Sequence, residues 1–131
     1  MTVPTWLNDS VRDFGRQMGL ERFVLSERGT AGVRFENGVA LRLEYVEDRG
    51  LFLTASVPLA AAGAPGLRRL FASVHPDANR GRFVVRAAVL SHSDEAAAAV
   101  CIPAREVDVP ALQEAMALAW QRVAGEPGGA A

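Results

Sequence analysis

The chain has no lysine. Its 14 basic residues are all arginine and stand against 15 acidic ones, giving a formal charge of −1. The arginines are scattered among acids, so the basic face or stripe that marks a nucleic-acid binder is missing and no such partner is expected. Arginine-only usage beside abundant Ala and Gly fits a GC-rich coding sequence, which argues against reading any one Arg as a chosen anion clamp. Cysteine is nearly absent as well. Cys101 stands alone, which excludes an intramolecular disulfide and points to a cytoplasmic setting. No apolar run approaches the ~20 residues that cross a bilayer, so no membrane association is expected. The opening Met1 to Trp6 has no basic stretch ahead of an apolar one, so no signal peptide is expected either.

Groups that carry chemistry are equally sparse. Gly29 to Gly32 and Gly63 to Gly66 lack both the spacing and the lysine of a phosphate loop. The two histidines, His75 and His92, and the lone Cys101 form no His/Cys pair at metal-ligand spacing. His92, Ser93, Asp94 and Glu95 include the residue types of a hydrolytic triad. They are consecutive in one polar connection, however, whereas a triad is assembled from separate segments, and they read as a solvated turn. Glu44, Glu47 and Asp48 read as a wet hairpin edge, Cys101 as a small core residue, and Trp6 and Trp120 as core anchors. His75, ahead of Pro76, reads as a helix-end residue. No catalytic residue, metal or cofactor is expected.

What is present is a single globular domain: 131 residues, 50% apolar and 22% charged, near the modal domain size. Leu7, Val11, Phe14 and Met18 recur at helical spacing and predict a helix over Trp6 to Met18, capped at Gly19. Phe23 to Ser26 and Gly32 to Glu36 read as one strand interrupted at Gly29. Asn37 and Gly38 predict a type I′ hairpin turn, which needs positive φ at both positions. Val39 to Tyr45 and Leu51 to Val57 alternate apolar and polar residues, predicting two half-buried strands. Pro58 to Pro65 reads as a connector, Leu67 to Val74 as a short helix ended by His75 and Pro76, and Asp77 to Gly81 as a turn. Arg82 to Leu90 and Ala98 to Glu106 predict a fourth and a fifth strand. The last helix opens at Asp108 or Val109 and buries Leu112, Met116, Ala119, Trp120 and Val123. Residues 125–131 are expected to form a disordered tail. The fold class is α+β, with an antiparallel sheet packed against helices in the order α-β-β-β-α-β-β-α.

The fourth strand bears on assembly. From Phe83 to Leu90 it is apolar on both faces except at Arg86, whereas an antiparallel strand with one wet face should alternate. Either it is a central strand buried within the protomer, or a second copy of the chain covers it, as symmetric self-association commonly does. In the second case Leu67, Leu70, Phe71, Val74, Phe83, Val85 and Val89 form the dimer interface.

The stretch from Val11 to Val123 resembles the class I type III secretion chaperones, the Tir-chaperone-like family. The resemblance is carried by Val11 to Leu20 with its Gly-Leu exit, by Phe23 to Phe35, Asn37 and Gly38, Val39 to Tyr45, Leu51 to Val57, Leu67 to Val74 and Val109 to Val123. It implies a chaperone domain over residues 1–124 with no enzymatic activity. It also implies a homodimer that binds the N-terminal segment of a secreted effector in extended form, with the secretion ATPase as a further partner. Effector-binding residues would lie on the first helix and first three strands: Val11, Phe14, Phe35, Leu41, Leu43, Leu51 and Leu53. Plain core packing explains the same apolar positions, since alternation marks burial without naming what buries it. The near-neutral charge departs from the acidic character of many members. The competing expectation is a small-molecule-binding or enzymatic domain, with a pocket between sheet and helices and His92 or Asp94 at its mouth.

Overall fold

A computed structural model describes residues 2–74 and 82–124. The helix end at His75 and Pro76, the turn at Asp77 to Gly81 and the tail at 125–131 lie outside the described residues. The order is α1 (Thr5–Gln17), β1 (Thr30–Arg34), β2 (Ala40–Val46), β3 (Gly50–Pro58), α2 (Leu59–Ser73), β4 (Val85–Leu90), β5 (Glu95–Ile102), a 3₁₀ turn (Ala104–Glu106) and α3 (Val109–Ala124). This is the expected α-β-β-β-α-β-β-α arrangement. The strands form one antiparallel sheet in the order β1-β2-β3-β5-β4.

Register follows from alternation. Leu41, Leu43 and Tyr45 pair with Ala55, Leu53 and Leu51, which in turn pair with Ala98, Val100 and Ile102. All nine are buried, and they form the sheet's contribution to the core. α3 lies across β3 and β5, with α1 and α2 beside it, so all three helices share one face of the sheet. Leu7, Val11 and Phe14 of α1 and Ala111, Leu112, Ala115 and Ala119 of α3 complete the core. The opposite face carries Arg42, Glu44, Thr54 and Arg86, and no helix among the described residues packs on it.

Local chemistry sets the boundaries. α1 ends in a left-handed glycine cap: Gly19 has φ 82°, its N–H bonds the Arg16 carbonyl at 3.0 Å, and the Leu20 N–H bonds the Gly15 carbonyl at 2.8 Å, satisfying the helix's last acceptors. Asp108 caps α3, its Oδ1 accepting from the Ala111 N–H at 2.7 Å, with Pro110 in the first turn. Gly50 is confined twice over. Its φ is 132°, and a Cβ there would lie 2.2 Å from the Ile102 carbonyl oxygen, so only glycine lets β3 begin this close to the end of β5.

Several expectations are corrected. Phe23 to Ser26 is not a strand. Its Leu25 N–H donates to Asn8 Oδ1 of α1 at 2.9 Å, and Phe23 and Leu25 are buried, so the alternation there reflects packing without a ladder. The turn after β1 is not type I′: only Gly38 has positive φ, at 90°, with Gly38 N–H bonded to the Phe35 carbonyl and Phe35 N–H to the Val39 carbonyl. That is the three-residue hairpin loop with its glycine in the left-handed region. The Pro58 to Pro65 connector is largely helical; α2 starts at Leu59 and is broken at Gly63, with φ 65° and ψ 177°. β4 begins at Val85 rather than Arg82. β5 spans Glu95 to Ile102 rather than Ala98 to Glu106, because Asp94 takes positive φ, 51°, and turns the chain directly into pairing. β4 is an edge strand with β5 as its one neighbour, which removes the central-strand alternative.

Candidate interaction surfaces

The seven residues expected to meet an effector are divided by the fold. Val11, Phe14, Leu41, Leu43, Leu51 and Leu53 are at most 1% exposed and belong to the protomer's own core, which corrects their assignment as a surface. Phe35 is half-buried. One residue beyond β1, it meets Trp120 of α3 edge-on at 5.2 Å between ring centroids. Trp120 lines a groove of about 280 Å³ between α1 and α3 together with Phe14, Met18, Met116, Gln17 and Gln113. The groove is almost wholly apolar, and the two glutamines bond one another across it.

Periodicity picks out Met18, Met116 and Trp120 as apolar stripe residues but does not show that they line a groove. Met116 and Trp120 were expected in the core, but the buried stripe of α3 runs through Ala111, Leu112, Ala115 and Ala119, leaving them half-buried at its flank. Two methionines beside a tryptophan form an adaptable surface, because thioether side chains re-pack at low cost. Trp6 is 48% exposed on α1 and is not a core anchor.

Beside the groove lies the outer edge of β1. The Tyr45 N–H bonds the Gly29 carbonyl at 2.7 Å and the Phe35 N–H bonds the Val39 carbonyl at 2.8 Å. In the antiparallel alternation, Ala31 and Val33 therefore also turn their backbone groups toward β2, and Thr30, Gly32 and Arg34 turn theirs outward. The Thr30 carbonyl is taken by the Ser26 N–H at 2.8 Å. Gly32 and Arg34 are exposed and, among the described residues, present a strand edge that no other strand pairs with. A hollow of about 590 Å³ lined by Gly19, Leu20, Phe23, Gly32 and Val33 runs along it.

The residues expected at a dimer interface also divide. Leu70, Phe83 and Val85 are buried in the protomer, which corrects their placement on a surface. Leu67 and Val74 are half-buried, while Phe71 on α2 is 47% and Val89 on β4 44% exposed. Val84, just ahead of β4, is 58% exposed. Large apolar side chains exposed in this number, beside an edge strand, mark a contact surface.

Polar groups gather on the helix-free face. Glu95 Oε2 accepts from Ser56 Oγ at 2.9 Å and from Arg34 Nη2 at 3.3 Å, and Arg34 Nη1 donates to the Gly38 carbonyl at 3.0 Å. Burial pushes the Glu95 carboxyl up, but hydrogen bonds from Ser56, Ser93 and Arg34 and the Arg34 charge outweigh it and hold the group below its usual value. His92 lines this face, not the cavity between sheet and helices, so the expected mouth of a ligand pocket is corrected. Burial raises the Cys101 thiol, which sits half-buried on the same face opposite Phe52 rather than in the core. Among the described residues no three His, Cys, Asp or Glu side chains are grouped to hold a metal, and no helix is long and apolar enough to cross a membrane.

The fold is that of the type III secretion chaperones. No family model and no curated protein matches the chain; the likeness is to solved structures. One is the ExsC–ExsE complex, at TM-score 0.71 and 21% identity over 94% of this chain and 96% of that one. Another is the HopA1–SchA chaperone–effector complex, at TM-score 0.63 and 24% identity over 88% and 90% of the two chains. A third is the Yersinia pestis type III secretion chaperone SycH in complex with a stable fragment of YscM2, at TM-score 0.61 and 13% identity over 84% and 90%.

Proposed function

We propose that the chain is a cytoplasmic, homodimeric, non-enzymatic chaperone. It binds the N-terminal segment of a type III secreted effector in extended form, keeps it soluble, and presents it to the secretion ATPase. The observation that carries this reading is the continuity of an unpaired strand edge with an apolar groove. Phe35 leaves the β1 edge and lies on Trp120, which lines the α1/α3 groove. An extended guest segment can pair with Gly32 and Arg34 through its backbone while its apolar side chains enter the adjoining hollows. Backbone bonding supplies affinity in that mode, and the pockets supply selectivity. The likeness to chaperone–effector complexes supports the same reading.

The test is co-expression with effector candidates encoded beside this gene. The tagged chain should bring down one of them at two copies per effector, and deleting that protein's N-terminal segment should abolish the complex. Met116→Glu places a charge in the groove and should weaken capture at least ~10-fold, because seating an apolar guest residue there would bury an unpaired carboxylate. Its melting temperature should stay close to the parent's, since Met116 is only half-buried. Capture that is indifferent to both changes would refute the reading.

A further inference from the structure

We propose that the cavity between α2, α3 and the adjoining end of the sheet is a binding site for a carboxylate carried on an apolar body. The cavity measures about 720 Å³, within the range of pockets that hold small ligands. Val57 and Ala96 line it from the sheet, Val39 from the turn ahead of β2 and Leu70 from α2, and all four are buried. Its width comes from the broken helix. α2 breaks at Gly63, and the side chains it supplies on either side of the break, at Ala61, Ala62 and Gly66, are small.

Two guanidinium groups, Arg69 and Arg122, line this space together with the neutral polar side chains of Asn37, Ser73 and Gln121, and no carboxylate among the described residues does so. Arg69 is exposed. Arg122 is half-buried: its Nε is buried and has no hydrogen-bond partner, and its Nη1 makes a long 3.4 Å bond to the neighbouring Gln121 Oε1. A buried donor without an acceptor carries its full desolvation cost. An uncharged apolar occupant would leave Nε unpaired, and a neutral polar one would leave two positive charges unanswered. A carboxylate meets both demands, because the guanidinium fork matches its two oxygens. The apolar lining then takes the body to which the carboxylate is attached.

This site stands apart from the β1 edge and the α1/α3 groove, and its existence does not depend on the chaperone reading. Two sources supply the chemistry: a free long-chain carboxylate, or an acidic residue flanked by apolar ones in a guest chain. The probes are sodium decanoate and its neutral counterpart decan-1-ol, titrated into the full chain while backbone amide shifts are followed. Decanoate should bind saturably, with shifts centred on Ala61, Ala62, Arg69 and Arg122, and at least ~10-fold more tightly than decanol. Arg122→Gln should bring the two probes within about twofold of one another, and Ala62→Phe, which fills the space, should remove both. If Ala62→Phe does not fold, Arg122→Gln carries the test. The peptide acetyl-Ala-Leu-Glu-Leu-Ala-amide, against its Gln counterpart, separates the sources. Preferential binding of the Glu form assigns the site to a chain segment, and decanoate binding without it assigns a free amphiphile. Equal affinity for decanoate and decanol, shifts centred instead on Met116 and Trp120, or no saturable binding by either acid would overturn the proposal.

Discussion

Burial disfavours an ionised Glu95, yet Ser56, Ser93 and Arg34 all favour it, and the sum lies below the ordinary carboxylate value. The consequence for stability has a definite sign. Above about pH 4.3, the usual glutamate value, Glu95 is ionised whether the chain is folded or not, and the network contributes in full. As pH falls through the lower folded value, the proton must be taken up by the native state and that contribution is lost. Arg34 reaches Glu95 across Ala40 and Ser56, so the bond ties the β1 end of the sheet to the start of β5. Glu95→Gln should therefore be less stable than the parent at about pH 6, and that gap should be narrower at about pH 3. Denaturant midpoints at the two pH values check it, and a gap that stays constant or widens in acid would show that the carboxylate is not what the network stabilises.

At the level of elements, the two sheet edges differ in what they offer. β4 has apolar side chains beside it, whereas β1 has outward backbone groups at Gly32 and Arg34. Proline at Gly32 removes an outward N–H and leaves the bonds of β1 to β2 untouched, the arrangement in which strands tolerate proline. Gly32→Pro should cost guest binding roughly 10-fold with a small change in melting temperature. Gly32→Ala should bind as the parent does, since its Cβ meets nothing nearer than the Leu41 carbonyl oxygen at 3.6 Å. Titration calorimetry on the co-purified guest separates the two variants, and equal affinities would exclude edge pairing.

The elements also show what sequence can and cannot reveal. α1, β2, β3 and α3 were legible because their apolar periods run long enough to be unambiguous and their ends carry Gly19, Gly50 and Asp108. Phe23 and Leu25 alternate as a strand does, but Phe23 packs on Phe14 and the Leu25 N–H bonds Asn8, both on α1, and no local pattern records contacts at that separation. α2 was hidden by Gly63 and Pro65, which signal a loop and here mark a break between two helical pieces. The site was less legible than the fold. Val11, Phe14, Leu41, Leu43, Leu51 and Leu53 share the faces that bound the candidate surfaces, and their burial in the core follows from the same alternation that singled them out. Met116 and Trp120 differ from core residues by a small rotation about the α3 axis, which only the position of α1 decides.

For the whole molecule, the protomer leaves Phe71, Val84 and Val89 outside its own core, at 47%, 58% and 44% exposure. Phe71 lies on α2 and Val89 on the helix-covered side of β4, at the sheet edge away from β1, while Val84 borders the helix-free face beside Arg86 and Cys101. Self-association through this surface would leave β1 free in both copies, consistent with a dimer whose two edges serve one guest segment. A two-fold interface repeats each contact, so one substitution acts twice. Burying a phenylalanine contributes about 1.5–3 kcal/mol, and replacing it with a charge forfeits that contribution and adds the cost of desolvating a carboxylate. Phe71→Glu should therefore weaken the dimer by at least ~100-fold, and with Val89→Glu added it should yield single chains at micromolar concentration. Light scattering after size exclusion reads the mass directly. Arg42→Glu, on the helix-free face, is the control that should keep the parent's mass. The parent should scatter as two chains at tens of micromolar; a single-chain mass there would remove the dimer, and with it the expectation of two copies per guest.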